Sequence, residues 1–227
     1  MKIAIHQPNY LPWIGFFDKM DKVEKFVLLD TAIHSKSGFT NRNKIKTPQG
    51  AFWLTVPIKA KEIPINEITI DNKQNWKRSH WKMIESNYKK SNYWSDLKDG
   101  FAEIYEADWD KLVDLNIALI LHIKTLLGIN TEIILESDLK EDFGTGNSRN
   151  VNIVKHLDGN VYLSGTGAKV YNEENEFVEN NIILVYQQFN HPVYKQRWED
   201  FIPYLSIIDL LFQCGPRAID IIREQAI

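Results

Sequence analysis

The strongest constraint on the fold lies in the first thirty or so residues. Residues 2–5 form a short β-type run that ends in the turn His6-Gln7-Pro8. Residues 13–20 follow, with Trp13, Phe16, Phe17 and Met20 at the i, i+3, i+4, i+7 spacing of an amphipathic helix. Residues 25–29 then read as a buried strand ending at Asp30. Strand, helix and strand at this spacing make a βαβ unit, which pairs its strands in parallel through a right-handed crossover. The expected fold class is α/β, with a mixed, partly parallel sheet flanked by helices.

The rest of the chain extends this pattern. Residues 31–50 form a polar loop closing on Pro48-Gln49-Gly50, and residues 51–58 form a strand paired with 43–46 as a hairpin. Residues 63–70 make a third β-type run, which Pro64 assigns to an edge. Helical spacing covers 75–89, 93–106 and 110–127, the last with Leu112, Leu115, Leu119 and Ile123 in register and Gly128 as its C-terminal cap. Strands follow at 132–136, 161–163 and 182–186, with helices at 149–157, capped by Ser148, and at 206–212 and 218–225. No linker composition or internal repeat interrupts the chain. The economical organisation is one α/β domain over residues 1–227 with a mainly helical subregion at about 75–128.

Composition narrows the function classes. Apolar residues make up 44% of the 227, enough for a core that needs no disulfide or metal. The net charge of −3 argues against a nucleic-acid partner, for which a strongly basic chain is the usual signature. A lone cysteine, Cys214, forms no internal disulfide, and its place after Leu210, Leu211 and Phe212 reads as packing rather than as a nucleophile. The longest apolar stretch, 117–127, contains His122 and Lys124, so no integral membrane segment is expected. The N-terminal apolar run is too short for a signal peptide, and a cytoplasmic location follows.

Ligands of open α/β sheets bind beyond the carboxyl ends of the parallel strands. His6, Gln7, Asn9 and Tyr10 fall at such an end, in a turn stiffened by Pro8 and Pro12. His6 there is a general base or a donor to phosphate or carbonyl, or else a structural histidine satisfied by a backbone carbonyl. Asn41, Arg42 and Asn43 with Lys46 either position a diphosphate or form a solvated hairpin loop. The run Ser164-Gly165-Thr166-Gly167-Ala168 either turns backbone N–H groups toward an anion or is a tight turn. It is neither a Walker loop nor Gly-x-Gly-x-x-Gly, so the cofactor stays unknown. His191 and Asp209 are candidates for a base and its orienting carboxylate. Asp209 sits on an apolar helix, where a carboxylate needs a partner of some kind. His-Glu-x-x-His, paired cysteines and Gly-x-Ser-x-Gly are all absent, so no metal ligands and no hydrolase serine are assigned.

Taken together these segments resemble one family. The opening His6-Gln7-Pro8-Asn9-Tyr10-Leu11-Pro12-Trp13-Ile14-Gly15-Phe16-Phe17-Asp18-Lys19 is similar to that of WbqC-like proteins. So are Asn41-Arg42-Asn43-Lys44-Ile45 with Trp53-Leu54-Thr55-Val56-Pro57, Tyr162-Leu163-Ser164-Gly165, His191-Pro192-Val193-Tyr194, and Ser206-Ile207-Ile208-Asp209-Leu210-Leu211. The resemblance runs from residue 1 to about residue 215. It implies a place in bacterial O-antigen or other surface-polysaccharide biosynthesis and a small-molecule substrate such as a nucleotide sugar. The expected activity is a transferase that acylates or aminoacylates a nucleotide-linked amino sugar. A non-catalytic sugar-nucleotide-binding or accessory protein is the alternative. Nucleotidyl transfer ranks last, because the turn lacks the second histidine of His-x-x-His.

Overall fold

A computed structural model describes residues 1–36, 38–198 and 200–224. Its core is the βαβ unit of β1 (Lys2–His6), α1 (Ile14–Asp21) and β2 (Lys25–Leu28), with β1 and β2 parallel and Ile3 opposite Lys25. β3 (Arg42–Thr47) and β4 (Gly50–Thr55) form a separate antiparallel hairpin in which Asn43 faces Leu54 and Lys46 faces Ala51.

The run at 63–70 is not the expected strand. Pro64 has no N–H to continue a ladder, and the chain tightens into a single 3₁₀ turn at Ile65–Glu67. Isolated bridges, Ile33–Pro64, Ile58–Ile70 and Thr69–Lys111, are what pairs there. The alternating isoleucines are spent on burial: Ile65, Ile68 and Ile70 are all buried.

α2 (Trp76–Tyr88), α3 (Trp94–Glu106) and α4 (Leu112–Leu126) build the helical subregion. Gly128 takes a φ of 64° and ends α4, its N–H donating to Thr125 and that of Ile129 to Lys124. β5 (Glu132–Leu135), α5 (Gly146–His156), β6 (Val161–Ser164), α6 (Glu174–Glu179) and β7 (Ile183–Tyr186) follow, and α7 (Ile208–Cys214) and α8 (Ala218–Arg223) close the fold. α5 starts ahead of its expected position. Ser148 therefore lies inside the first turn, donating to the Thr145 carbonyl at 2.7 Å rather than capping the helix. Gln225, placed in the last helix from sequence, lies outside the described residues. α6 carries no clear periodic signal in its sequence.

The five strands of the main sheet run parallel in the order β5-β2-β1-β6-β7. Strand alternation sends Ile3, Ile5 and Val27 to one face, against Val151, Ile153 and Val154 of α5 and Phe177 of α6. Ala4, Phe26 and Leu28 face the other way, into a cluster with Phe16, Phe17 and Met20 of α1. That cluster continues through Trp76, Tyr88, Phe101, Leu115 and Leu119 to Leu210, Leu211 and Phe212, so the helical subregion packs on the same apolar core. No helix among the described residues is long and apolar enough to cross a membrane.

Candidate functional site

From β1 the chain builds outward to β2 and β5 on one side, and later to β6 and β7 on the other. The carboxyl ends of β1 and β6 therefore part at the topological switch point, where an open parallel sheet leaves a crevice. A cavity of about 420 Å³ lies there. This is within the usual range for small-molecule sites. His6 enters it from the end of β1, Ser164 and Gly165 from the end of β6, Lys19 from α1 and Gln187 from just after β7.

His6 Nδ1 lies 2.9 Å from the Gln7 carbonyl oxygen. A carbonyl only accepts, so Nδ1 carries the proton and Nε2 keeps its lone pair. Burial and the positive charge of Lys19 push the His6 pKa down to about 3, against a small opposing effect of the Gln7 bond. The ring packs edge-on to Phe16, 4.9 Å between centroids. His6 is thus a neutral imidazole of fixed tautomer.

Lys19 also lines the cavity. Its ammonium donates to the Ile5 carbonyl at 3.1 Å and lies 5.9 Å from the Phe26 ring centroid. The side chain is buried, and burial pulls its pKa down to about 7. Next to it Asp18 is also buried. Gln187 Nε2 donates to Asp18 at 2.6 Å and to the Gly15 carbonyl at 2.8 Å, and Lys22 donates to Asp18 at 3.0 Å. Burial raises the Asp18 pKa, and the bonds from Gln187 and Lys22 oppose that rise.

One wall is aromatic. The Trp13 ring meets Phe189 at 5.5 Å and Tyr204 at 5.7 Å between centroids. Gly15 makes room for it, since a Cβ there would sit 2.2 Å from the indole. Ser164–Ala168 form another part of the lining, a 3₁₀ turn from Thr166 onward. Gly165 and Gly167 leave open space where side chains would stand. Ser164 accepts a hydrogen bond from Asn172 at 3.1 Å.

The remaining sequence candidates lie outside the cavity lining. Gln7 accepts from Thr40 at 3.5 Å, and Asn9 is buried behind the turn. Tyr10 points into a buried cluster, its hydroxyl bonded to Tyr105 and, at 2.8 Å, to His80 Nδ1. Asn41 donates to the Val56 carbonyl and Asn43 to that of Leu11, at 3.0 and 2.6 Å. Arg42 lies over the Trp53 ring at 4.6 Å and donates to Gly38. Lys46 is buried and donates to Gln196 at 3.0 Å. Asn41, Asn43 and Lys46 fasten the hairpin to its neighbours.

The expected pairing of His191 with Asp209 does not form. His191 Nδ1 donates to its neighbour's carbonyl, that of Pro192, and Nε2 accepts the Tyr204 N–H at 3.0 Å, so both nitrogens are occupied. The ring stacks edge-on with Tyr204 and Phe189, bracing the aromatic wall from behind. Asp209 is buried on α7 and accepts from Tyr88 and Tyr194 at 3.0 and 2.8 Å. Burial raises its pKa while those two hydroxyls hold it down.

Fold and cavity together define a doubly wound α/β protein with a polar, aromatic-walled pocket at its switch point. The chain belongs to the WbqC-like protein family, whose model matches residues 7–221. It is 36% identical over 227 residues to the uncharacterized protein Rv1507c of Mycobacterium tuberculosis, covering 98% of this chain and 97% of that one. No solved structure matches the chain.

Proposed function

We propose that the switch-point pocket is the active site of a transferase acting on a nucleotide-linked amino sugar in bacterial surface-polysaccharide biosynthesis. The observation that carries this reading is the convergence of a neutral His6, a buried Lys19 and the open Ser164–Gly167 turn on one cavity. The aromatic wall of Trp13, Phe189 and Tyr204 suits the apolar face of a sugar ring.

The reaction is transfer of an acyl or aminoacyl group from an activated donor, a thioester or mixed anhydride, to the sugar amine. The amine nitrogen forms the new C–N bond as its proton passes to His6 Nε2. The tetrahedral intermediate collapses with cleavage of the bond to the leaving group, which takes the electron pair and that proton. Backbone N–H groups of the Ser164 turn stabilise the transient oxyanion. A histidine held near a pKa of 3 is a weak base, and the Lys19 charge contributes to that. Burial is the larger cause, and an anionic ligand paired with Lys19 offsets the smaller one, the charge of the lysine.

The low basicity of His6 favours one second reading, a sugar-nucleotide-binding protein without catalysis. His6→Ala separates the two. In the transferase reading this protein keeps its fold and its ligand affinity and loses turnover. Retained turnover removes His6 from the mechanism, and absence of any turnover by the wild type, with ligand bound, supports the binding protein.

A further inference from the structure

Lys19 is a buried amine that meets no carboxylate among the described residues. Its residue is 4% exposed, its ammonium has the Ile5 carbonyl as hydrogen-bond partner, and no carboxylate oxygen lies within 4.0 Å among the described residues. Asp18, adjacent in sequence, is already held by Gln187 and Lys22. His6 contributes no negative charge and is itself disfavoured by the lysine. An ammonium taken out of water is costly unless a counter-charge or several acceptors replace its hydration. One carbonyl at 3.1 Å does not do so.

Lys19 lines the cavity together with His6, Ser164 and Gly165. Gly165 and Gly167 present bare backbone there, with nothing within 4 Å of where their Cβ atoms would stand. A group small enough to approach that backbone, and negatively charged, fits the space and supplies the missing charge. We propose that Lys19 is the anion-binding residue of the pocket, pairing with a phosphate or carboxylate group of the ligand between the ends of β1 and β6. This rests on reading the cavity as the functional site, and adds to it the class of group recognised and the residue that recognises it. Lys46 and Arg42, the cations that sequence spacing favours for this role, are drawn to Gln196 and to the Trp53 face instead.

The test is calorimetric titration of the full chain with inorganic pyrophosphate, a nucleoside diphosphate and acetate, using wild type, Lys19→Met, Lys19→Arg and Lys44→Met. Lys44, over the Trp53 ring on the hairpin, controls for non-specific charge. Wild type is expected to bind one of these anions, and the one it prefers tells phosphate from carboxylate. Lys19→Met should bind it at least tenfold more weakly, Lys19→Arg should recover part of the loss, and Lys44→Met should match wild type. Binding by Lys19→Met within twofold of wild type overturns the proposal, as does failure of wild type to bind any of the three. Should Lys19→Met not fold, Lys19→Gln carries the same comparison. Equal binding by the lysine variant with normal turnover removes Lys19 alone. Intact pyrophosphate binding with no affinity for a nucleotide-linked sugar removes the transferase reading alone.

Discussion

The Lys19 ammonium donates to the carbonyl of Ile5, the residue that precedes His6 on β1. This bond anchors a positive charge beside the imidazole at the carboxyl end of the central strand, and both groups titrate far from their ordinary values as a result of burial. A helix residue and a strand residue thereby act as one electrostatic unit, with the cavity as its outlet.

That unit gives the protein a defined pH dependence. Lys19 has a pKa of about 7 when folded and about 10.5 when unfolded. Between those values the unfolded chain binds a proton that the folded chain has lost, so stability rises with pH across the window. His6 is deprotonated throughout, and Asp18 and Lys22 flank the lysine on its own helix. Buried tyrosines such as Tyr10 and Tyr88 oppose the rise only above pH 10, where unfolded tyrosine ionises. The urea midpoint of wild type should therefore climb from pH 7 to 9.5. Lys19→Met should be about 2 kcal/mol more stable at pH 7 and show no climb over that range, where the half-buried Cys214 thiol, its pKa raised by burial, lowers stability as pH rises. A parallel climb in both proteins contradicts the assignment.

Asp209 makes a contrasting prediction. Its two tyrosine hydroxyl partners are buried, and removal of the carboxylate leaves them without an acceptor. Asp209→Ala should cost about 2–4 kcal/mol in chemical denaturation, while the remaining folded fraction turns over at the wild-type kcat. A fall in kcat without loss of stability would place Asp209 in the chemistry.

Much of the scaffold was legible because it is local. The strand–helix–strand opening, the hairpin, the three helices of the middle third and the Gly128 cap are all written in short-range periodicity and turn chemistry. Pro64 marked the end of strand geometry, yet the isoleucines around it mimicked a strand because a buried irregular segment needs apolar residues as much as a ladder does. The site was legible only in part. Of the residues lining the cavity, His6 follows from the rule that ligands gather at carboxyl ends of strands, and Ser164 and Gly165 from glycines that follow a strand. Lys19 was hidden because an amphipathic reading of α1 puts Asp18 and Lys19 on its solvent face, and that face is covered by Gln187 and the cavity. The signal was a charged pair inside an otherwise apolar segment, Ile14 to Met20. Arg42, Asn43 and Lys46 looked like an anion cradle because their chemistry fits one. Their tertiary partners, separated from them by 30 to 150 residues in the case of Asn43 and Lys46, are invisible to spacing arguments.

Glycine substitutions distinguish the two parts of the pocket lining. Gly15→Ala drives a methyl into the Trp13 indole, which must leave its contacts with Phe189 and Tyr204. This overpacking should cost about 1–3 kcal/mol and, in the transferase reading, raise KM. Gly167→Ala meets only open space and should leave stability within about 0.5 kcal/mol of wild type. Equal tolerance at both positions, read as melting temperatures and KM, would show that the aromatic wall is not as tightly set as described.

The most direct test of the central claim, that the switch-point cavity is the functional site, is to fill it. Gly165 has a φ of −71° that any residue adopts, and open space in place of a side chain, so Gly165→Trp adds an indole without backbone strain. Calorimetric titration with a nucleotide-linked amino sugar should show binding to wild type and none to Gly165→Trp, whose melting temperature stays close to that of wild type. Undiminished binding by the plugged, folded protein would contradict the assignment of the site.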